Sequence, residues 1–403
     1  MDRRVVITGL GVISSIGTGW EEFWDSLLQG RSGISPVTSF DTTNHFTHNG
    51  GEVKNFRPKD FIQEDKLASL SRASQLGLAA AHLAVKDANL FSEISEMLVG
   101  VCIGTTMGSV QTVELIDELI LQKRKEGTGD ELIYQVPTHS TPASISRAFQ
   151  LRGPNMMFST ACAAGNYAIG YGFDLIRCGR ADVILAGGSD PLSKVAFTGF
   201  NQFSAVAPQK CQPFDKNRKG MIPSEGAGML VIESLENALI RNAPIYAEVL
   251  GYGLSCDAYH MTTASVEGLA ACMKKAMREA GISHKEVDYI SAHGTGTVAN
   301  DRNECAALRE VFGTDYQKVP VSSIKSMLGH AMGAASALEA IACSLAVKYD
   351  ILPPTINFET PDPECDIDCV PNRARKHTVN IALNNSYAFG GNNASVAFKK
   401  FIQ

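Results

Sequence analysis

Apolar runs of strand length alternate along the chain with longer stretches whose apolar residues recur at helical spacing. This alternation favours an α/β fold, in which helices cover a mostly parallel sheet. The runs that predict strands are VVITGLGVI, VGVCIGT, DVILAGG, AGMLVIE, YAEVLGYG, VDYISAHG and VNIALNN. The stretches that predict helices include SLSRASQLGLAAAHLAVKDA and GLAACMKKAMREAG. No low-complexity linker divides the pattern, so the chain is expected to pack as one body.

The hydrophobic pattern also contains a weak internal repeat. VGVCIGTTMGS at 99–109 matches VDYISAHGTGT at 287–297, each an apolar run that leads into a Gly/Thr turn. A second match pairs the small-residue helix that starts at Cys162 with the small-residue helix that starts at Lys325. The Ala/Gly content would let both helices lie close to a neighbouring backbone, although any buried helix can show the same residues. The repeat therefore suggests a duplicated architecture.

Composition narrows the class of partner. The chain has 403 residues, of which 44% are hydrophobic and 19% charged, and its net charge is −6. A negative chain without a long basic run is a poor binder of nucleic acid, since phosphate recognition needs a basic face. The one short basic cluster, Lys123, Arg124 and Lys125, is interpreted as a solvated helix face. No run reaches about 18 apolar residues, so no membrane span is expected.

Cysteine usage points to the cytoplasm. The first residues, MDRRVVITGLGVISSIG, are typical of a strand and turn rather than of a signal peptide. Ten cysteines without regular spacing then indicate reduced thiols in a cytoplasmic chain. Cys365 and Cys369 form the closest pair, but no second Cys or His pair is near enough in sequence for a zinc site. No metal is therefore expected.

Three segments carry candidate chemistry. TAC162 lies at a predicted strand-to-helix turn, AHGTGT with His293 follows a strand, and KSMLGH joins Lys325 to His330. A helix N-terminus is expected to lower the pKa of the Cys162 thiol and so make it a nucleophile. Histidines can exchange protons or donate hydrogen bonds to developing negative charge near neutral pH.

Each of these residues also has a structural explanation. Cys162 can be a small core residue, His293 a core histidine and His330 a helix cap. A lysine is usually a surface charge, but Lys325 precedes a long apolar helix, which favours a partly buried, paired lysine. Glu339, fourteen positions later, is its candidate partner.

Several motifs together resemble one family. TACAAG, PFDKNRKG followed by EGAGMLVIE, DAYHMT, AHGTGT, SSIKSMLGH and NNSYAFGGNN occur in the order and at about the spacing of elongating β-ketoacyl-acyl carrier protein synthases. The likeness runs from RRVVITGLGV to VAFKKF. It implies a thiolase-like fold, five-layered α-β-α-β-α from two similar halves. We place the halves at residues 1–243, with the nucleophile, and 244–403, with the histidines and lysine.

The resemblance implies a decarboxylative Claisen condensation. Cys162 would take an acyl chain from acyl carrier protein, and His293 and His330 would assist decarboxylation of malonyl-acyl carrier protein and stabilise the enolate. The backbone amides of Cys162 and Phe389 would form an oxyanion hole, with Phe389 also acting as a gate. Lys325 would position the histidines through an ion pair.

The resemblance also assigns supporting residues. Thr295 and Thr297 match the hydroxyls that hold the 4′-phosphopantetheine arm of the carrier, and no bound cofactor is expected. Structural support is assigned to Glu339, Asp301 and Glu304. The basic cluster that docks the carrier protein is thinner than usual, leaving Lys66 and Arg72 as candidates. Ser224 stands where a glycine is common, which puts the geometry of that turn in question.

Pathway and partner stay open at this point. SRASQ, NDRNE and PDPECDIDCVPNRAR are similar to type II polyketide ketosynthases, whereas AFGGNNAS is nearer to fatty-acid and polyene-forming members. The dimer can be a homodimer or a heterodimer with a ketosynthase-like chain-length factor and a dedicated carrier protein. A non-catalytic subunit is disfavoured because the Cys, His, Lys and His residues are all retained. A degradative thiolase is disfavoured because no second cysteine occurs near the NNSYAFGG segment.

Overall fold

A computed structural model describes residues 3–91, 94, 96–122 and 129–402. The basic cluster at 123–125 lies outside the described residues. The strands are β1 (Val5–Ser14), β2 (Gly17–Thr18), β3 (Ser35–Pro36), β4 (Asn49–Gly50), β5 (Val99–Gly104), β6 (Asn155–Phe158), β7 (Val183–Asp190), β8 (Gly226–Ser234), β9 (Ala247–Cys256), β10 (Tyr289–Ser291), β11 (Val321–Ser322), β12 (Ile351–Leu352), β13 (Arg375–Lys376), β14 (Ile381–Tyr387) and β15 (Asn392–Lys399).

Helices connect and cover these strands. They are α1 (Trp20–Leu28), α2 (Glu64–Leu67), α3 (Arg72–Asp87), α4 (Val110–Leu121), α5 (Asp130–Gln135), α6 (Ser140–Phe149), α7 (Ala164–Arg177), α8 (Lys194–Gln202), α9 (Leu235–Ile240), α10 (Val266–Ala280), α11 (Val298–Phe312), α12 (Lys325–Leu328) and α13 (Ala335–Tyr349). Each apolar run that predicted a strand contains one, and both stretches that predicted helices are helical as α3 and α10.

Two sets of five strands have the same order and the same directions. The first set is ordered β6-β5-β7-β8-β1, and the second is ordered β11-β10-β14-β15-β9. In each set the first three strands are parallel to one another and the last two are antiparallel to their neighbours. The sets join where β1 pairs antiparallel with β9 at three residue positions, beginning with Val5 and Val249. The predicted similarity of two halves is therefore present in the sheet topology.

Helices complete the five layers. Helix α3 packs on one face of the first set of strands, and α10 packs on one face of the second. Between the two sets lie α7 and α13, which contact each other and strands of both sets. The predicted thiolase-like α/β layering is thus confirmed. The division at residues 243 and 244, between α9 and β9, stays a prediction.

Small residues let the two central helices approach closely. At Gly165 in α7, an added Cβ would lie 2.7 Å from the backbone nitrogen of Ala337 in α13. A side chain there would push the helices apart, so the close packing depends on glycine. The residues of α13 from Ala335 to Val347 are all buried, as expected for the middle layer.

The described helices were also compared with the requirements of a bilayer. Within residues 3–91, 94, 96–122 and 129–402, none has both the length and the apolarity needed to cross a membrane.

Candidate active site

The candidate nucleophile lies on a tight connection between a strand and a helix. β6 ends at Phe158, a 3₁₀ turn spans Ala161–Ala163, and α7 begins at Ala164. Ala161 has a φ of 50°, a left-handed conformation that non-glycine residues adopt infrequently. The hydroxyl of Ser386 in β14 donates a hydrogen bond of 2.9 Å to the Cys162 carbonyl oxygen. The turn is therefore held from the other half of the molecule, and Cys162 lines a cavity.

Both predicted histidines meet Cys162. His293 follows β10 and His330 follows α12, yet Sγ of Cys162 and one ring nitrogen of each histidine lie within 4.8 Å of one another. The centroids of the two imidazole rings are 5.5 Å apart, and the ring planes meet edge to face at 83°. The amide of Met332 donates a hydrogen bond of 3.1 Å to Nδ1 of His330. The neutral ring therefore carries its proton on Nε2.

Two buried carboxylates hold the loop that carries His293. Glu304 accepts hydrogen bonds from the amides of His293 at 2.9 Å and Gly294 at 2.8 Å. Asp301 accepts from the amide of Gly296 at 3.2 Å. Burial raises the pKa of Glu304 to about 7 and raises the pKa of Asp301, while the backbone donors oppose both shifts. Asp301 and Glu304 thus occupy supporting positions behind the histidine.

A buried ion pair lies beneath the site. Lys325, at the start of α12, is paired with Glu339 of α13, and both side chains are almost fully buried. Burial raises the pKa of Glu339 to about 7, and the ammonium of Lys325 opposes that rise. The partner suggested by the sequence spacing is therefore the partner found.

Burial keeps the thiol and the imidazoles uncharged. It lowers the pKa of His293 and of His330 well below the usual value, and the nearby charge of Lys325 lowers both further. It raises the pKa of the Cys162 thiol to about 12, although Lys325 opposes the rise. The expected lowering of this pKa by the helix N-terminus is wrong, because desolvation outweighs it in the substrate-free pocket. The neutral imidazole of His293 can accept a proton from the thiol, whereas His330, with its Nδ1 occupied by the Met332 amide, presents an N–H donor.

The cavity above Cys162 has a volume of about 260 Å³. Thr295 and Thr297 line it, and their hydroxyls are hydrogen-bonded to each other at 2.8 Å. The two hydroxyls form a polar strip in a wall that also contains Met221 and Phe200. This position suits a polar arm that enters beside an apolar chain.

Phe389 stands at the edge of the same cavity. Its side chain is 39% exposed, and its ring lies 6.0 Å from the ring of Phe200 and 6.3 Å from that of Phe203. Gly390 and Gly391 follow with φ values of 81° and 79°, which require glycine. The segment thus has both an aromatic support and the backbone freedom that a moving loop needs.

The two docking candidates lie elsewhere. Lys66 is exposed and Arg72 is not part of the wall around Cys162. The Arg72 guanidinium pairs with Glu225 at 2.7 Å and stacks 5.1 Å from the ring centre of Phe56. Arg72 is therefore committed to an internal contact, whereas Lys66 keeps a free surface position.

Two residues near the site had no sequence signal of their own. Asp190, at the end of β7, accepts hydrogen bonds from the hydroxyl of Thr105 at 2.7 Å and the amide of Gly333 at 2.6 Å. Burial raises its pKa to about 6. The ring of Tyr387 packs 5.7 Å from that of His293. Both end apolar strand runs, which is the only pattern that could have singled them out.

The turn at Ser224 accommodates its side chain. The amide of Ser224 donates a hydrogen bond of 3.0 Å to the carbonyl oxygen of His330. Ser224 is not among the described residues that have a positive φ. Serine therefore fits where glycine was expected.

Comparison with known proteins agrees with this arrangement. The family models for the beta-ketoacyl synthase N-terminal and C-terminal domains match residues 2–238 and 246–359. The chain is 42% identical over 404 residues to nodulation protein E of Rhizobium meliloti strain 1021, covering 99% of this chain and 100% of that protein. It is 40% identical over 409 residues to 3-oxoacyl-[acyl-carrier-protein] synthase 2 of Staphylococcus aureus strain COL, with 99% of each covered.

A solved structure described as the ishigamide ketosynthase/chain length factor superimposes with a TM-score of 0.96 at 45% identity, and the match covers 100% of both chains. The likeness therefore extends over the full chain in both sequence and structure. The chain belongs to the beta-ketoacyl synthase family, and it is a condensing ketosynthase of fatty-acid or polyketide biosynthesis.

Proposed function

We propose that Cys162 carries the acyl chain and that the product is a 3-oxoacyl-acyl carrier protein two carbons longer. The observation that supports this most directly is the meeting of the Cys162 thiol with His293 and His330 inside one cavity. The thiol sulfur attacks the carbonyl carbon of an acyl thioester, and the proton ends on the departing carrier thiol. Covalent capture divides the condensation into two easier steps and frees the cavity mouth for the second carrier.

The second step is decarboxylation. Malonyl-acyl carrier protein loses carbon dioxide, and the electron pair forms an enolate with negative charge on its thioester oxygen. Imidazole N–H groups of His293 and His330 stabilise that oxygen. The enolate carbon then attacks the acyl carbonyl on Cys162, the C–S bond breaks, and the thiolate regains a proton. The backbone amides of Cys162 and Phe389 donate hydrogen bonds to the oxyanion that forms in this addition.

The remaining residues act by position. Lys325 is a positioning residue whose charge is held by Glu339, while Asp301 and Glu304 keep the His293 loop in place. Thr295 and Thr297 bind the amide groups of the phosphopantetheine arm, as their paired hydroxyls on the cavity wall suggest. Phe389 closes the cavity after acylation.

The partner proteins follow from the comparisons and from one uncovered face. The name of the Staphylococcus relative supports acyl carrier protein as the substrate carrier, and Lys66 is the better docking candidate of the two. Of the twelve residues of α4, only Thr112 is buried, although the helix carries Val113, Leu115, Ile120 and Leu121. An exposed apolar helix of this kind is expected to be covered by a second subunit.

A second candidate is the ketosynthase subunit of a type II polyketide synthase heterodimer. The similarity to a ketosynthase/chain length factor structure at 45% identity favours it over a fatty-acid homodimer. Either subunit could cover α4 and the half-exposed edge strand β6. The cytoplasmic location and the division at residues 243 and 244 are further parts of the proposal.

The test is acylation of the purified protein followed by intact mass. We expect a mass increase equal to the acyl group with acyl carriers and a 3-oxoacyl product after addition of malonyl carrier. Cys162→Ala should lose both, by roughly 10³-fold or more. Cys178→Ala is the matched control, because Cys178 is an exposed thiol on the surface.

The same assay separates the two candidates. Product from the protein alone supports a homodimer, whereas product only after addition of a chain-length-factor subunit supports the heterodimer. Acylation on another residue, or full activity of Cys162→Ala, contradicts the proposed role of Cys162.

A further inference from the structure

The segment PDPECDIDCVPNRAR has no role in the proposed chemistry, yet part of it packs against a helix that supports the active site. A short 3₁₀ turn within this segment spans Pro363–Cys365 and contacts α11. Helix α11 carries Glu304, which accepts a hydrogen bond of 2.9 Å from the His293 amide. The turn is therefore a neighbour of the helix that holds the His293 loop in place.

One face of α11 is tied to the start of this turn. Asp301, Cys305 and Arg309 are spaced four residues apart, so they lie on the same face of the helix. Near the N-terminal end of this face, Arg218 lies 3.7 Å from Asp301 and also pairs with Asp362. Asp362 directly precedes the turn, so the guanidinium joins the helix face to the beginning of the turn.

The C-terminal end of the same face is tied to the end of the turn. Arg309 donates a hydrogen bond of 2.9 Å to the carbonyl oxygen of Glu364, and it pairs with Asp366. Because Cys305 is midway along the helix face, it meets the part of the turn where Cys365 stands. Both cysteines are buried in one apolar cluster, and their thiols are close enough to interact.

The two thiols differ in how an oxidant reaches them. The exposed residues Glu364 and Asp366 flank Cys365, so a local opening of the turn uncovers its sulfur. Cys305 is fully buried on the helix. A hydrogen bond with Cys365 and burial raise the pKa of the Cys305 thiol well above its usual value, which keeps this thiol protonated and slow to react with an oxidant. The first oxidation is therefore assigned to Cys365.

We propose that Cys305 and Cys365 form an intramolecular disulfide when the protein meets a peroxide. The Cys365 sulfur attacks one peroxide oxygen, which gives a sulfenic acid and one water molecule. The Cys305 sulfur then attacks the sulfenic sulfur, the S–S bond forms, and the hydroxyl group leaves with the Cys305 proton as a second water. The two sulfurs supply the two electrons that reduce the peroxide. The bond clamps the turn to α11, and a thiol reductant reverses it.

Peptide mapping tests the proposal. The reduced, full-length protein is exposed to hydrogen peroxide, its free thiols are blocked with iodoacetamide in denaturant, and it is digested with trypsin without reduction. We expect NECAALR, which contains Cys305, to be joined to the peptide that runs from Tyr349 to Arg373. The joined mass should be lower by two hydrogens than the sum of the two peptides. Dithiothreitol should separate the pair.

The clamp also has a thermal signature. A disulfide between α11 and the turn restricts the unfolded chain, so oxidation should raise the melting temperature by roughly 5 °C, and dithiothreitol should restore the original value. An unchanged melting temperature in protein that contains the link overturns the clamp.

Cys369 provides the matched control, because it lies in the same peptide and the same apolar cluster as Cys365. Cys369→Ser should keep the joined peptides, whereas Cys365→Ser should lose them together with the rise in melting temperature. Absence of joined peptides in the oxidised wild type overturns the proposal, as does a link that survives in Cys365→Ser or that joins Cys365 to Cys369. Mapping of the wild-type protein needs no variant, so a poorly folded variant does not prevent the test. None of these results depends on whether the proposed condensation occurs.

Discussion

The turn before α7 and the turn before α13 occupy equivalent positions in the two halves. Each is a three-residue 3₁₀ turn, Ala161–Ala163 and Met332–Ala334, followed directly by a buried central helix. The first residue of each turn, Ala161 and Met332, has a φ of 50°. The backbone has therefore been kept in both copies, including its unfavourable conformation.

The residues at the centre of the two turns differ. Cys162 presents a thiol to the cavity, whereas Gly333 has no side chain in the matching place. An added Cβ at Gly333 would lie 2.6 Å from the carbonyl carbon of Thr105, and the Gly333 amide donates to Asp190. One turn thus serves chemistry, and the other serves close contact between the halves.

The second turn also supports the chemistry of the first. The Met332 amide donates a hydrogen bond to Nδ1 of His330, and the hydroxyl of Ser386, in the same half, donates one to the Cys162 carbonyl oxygen. Duplication alone would have made two equal sites. The difference teaches that one active site uses the backbone of both copies but the nucleophile of only one.

The most direct test of the comparison is to exchange the two central residues. Gly333→Cys should destabilise the protein by about 3 kcal/mol or more, because its Cβ meets backbone atoms that cannot move independently. Cys162→Gly should cost about 1 to 2 kcal/mol and leave a folded, inactive protein. Denaturant unfolding of both variants measures the contrast. Gly199→Ala, where no atom lies within 4 Å, is the control for adding a methyl group. Equal stability of the two variants would show that the turns are interchangeable.

Lys325→Met tests a feature that exists in only one half. Ala168 of α7 occupies the place equivalent to Glu339 of α13, so the first half has no such ion pair. Removing Lys325 leaves a buried carboxylate and should cost about 3 to 5 kcal/mol.

The pH dependence of that variant sharpens the test. The folded-state pKa of Glu339 is already raised to about 7 with Lys325 present, and it should rise further without the ammonium. A folded-state pKa above the unfolded one means that stability is greatest at low pH. Because Glu339 is protonated in both proteins below about pH 7, unfolding measured from about pH 5 to 9 should show the difference in stability between variant and wild type growing only above about pH 7. Lys274→Met is the control, because it breaks an exposed ion pair with Glu310 at 2.7 Å. It should change the stability by under about 1 kcal/mol at every pH in that range. A penalty independent of pH would contradict the buried pairing.

Asp190 accepts the Gly333 amide of the second turn and gives a pH test of the wild-type protein. Burial raises its folded-state pKa to about 6, above the unfolded value of 3.8. Its contribution is therefore fully present below about pH 4 and is lost as the pH rises through 6, a change of roughly 3 kcal/mol. Asp190→Asn should remove this slope from urea unfolding measured across that range. Asp41→Asn, at an exposed position, should leave it in place. A slope that persists in Asp190→Asn assigns the titration to another group.

The sequence predicted the duplication but not its register. The strand runs and the small-residue helices are periodic over many positions, so their pattern is strong. Strands β6 and β11 have four and two residues, too few to show a period, and neither was predicted. The sequence match set Lys325 opposite Cys162, whereas the turn places Gly333 there and Lys325 begins the separate helix α12.

Partners distant in sequence explain the other differences. Spacing along one helical region was enough to suggest that Glu339 pairs with Lys325. Arg72 was interpreted as a docking residue, and nothing near it in sequence reveals Glu225, which lies 153 positions away. The pKa of Cys162 was predicted from the helix N-terminus alone, because the depth of burial depends on the whole fold.

The smallest effect is expected at the hydrogen bond that joins the halves beside the nucleophile. Ser386→Ala removes the donor to the Cys162 carbonyl at 2.9 Å and should cost about 1 kcal/mol of stability. Ser395→Ala removes the donor of a buried bond of 2.7 Å to Asn385 on the neighbouring strand and should cost about the same. Only Ser386→Ala should also slow alkylation of Cys162 or its acylation, by a few-fold, because only that bond fixes the turn. Equal alkylation rates in the two variants would mean that the backbone of α7 alone positions the thiol.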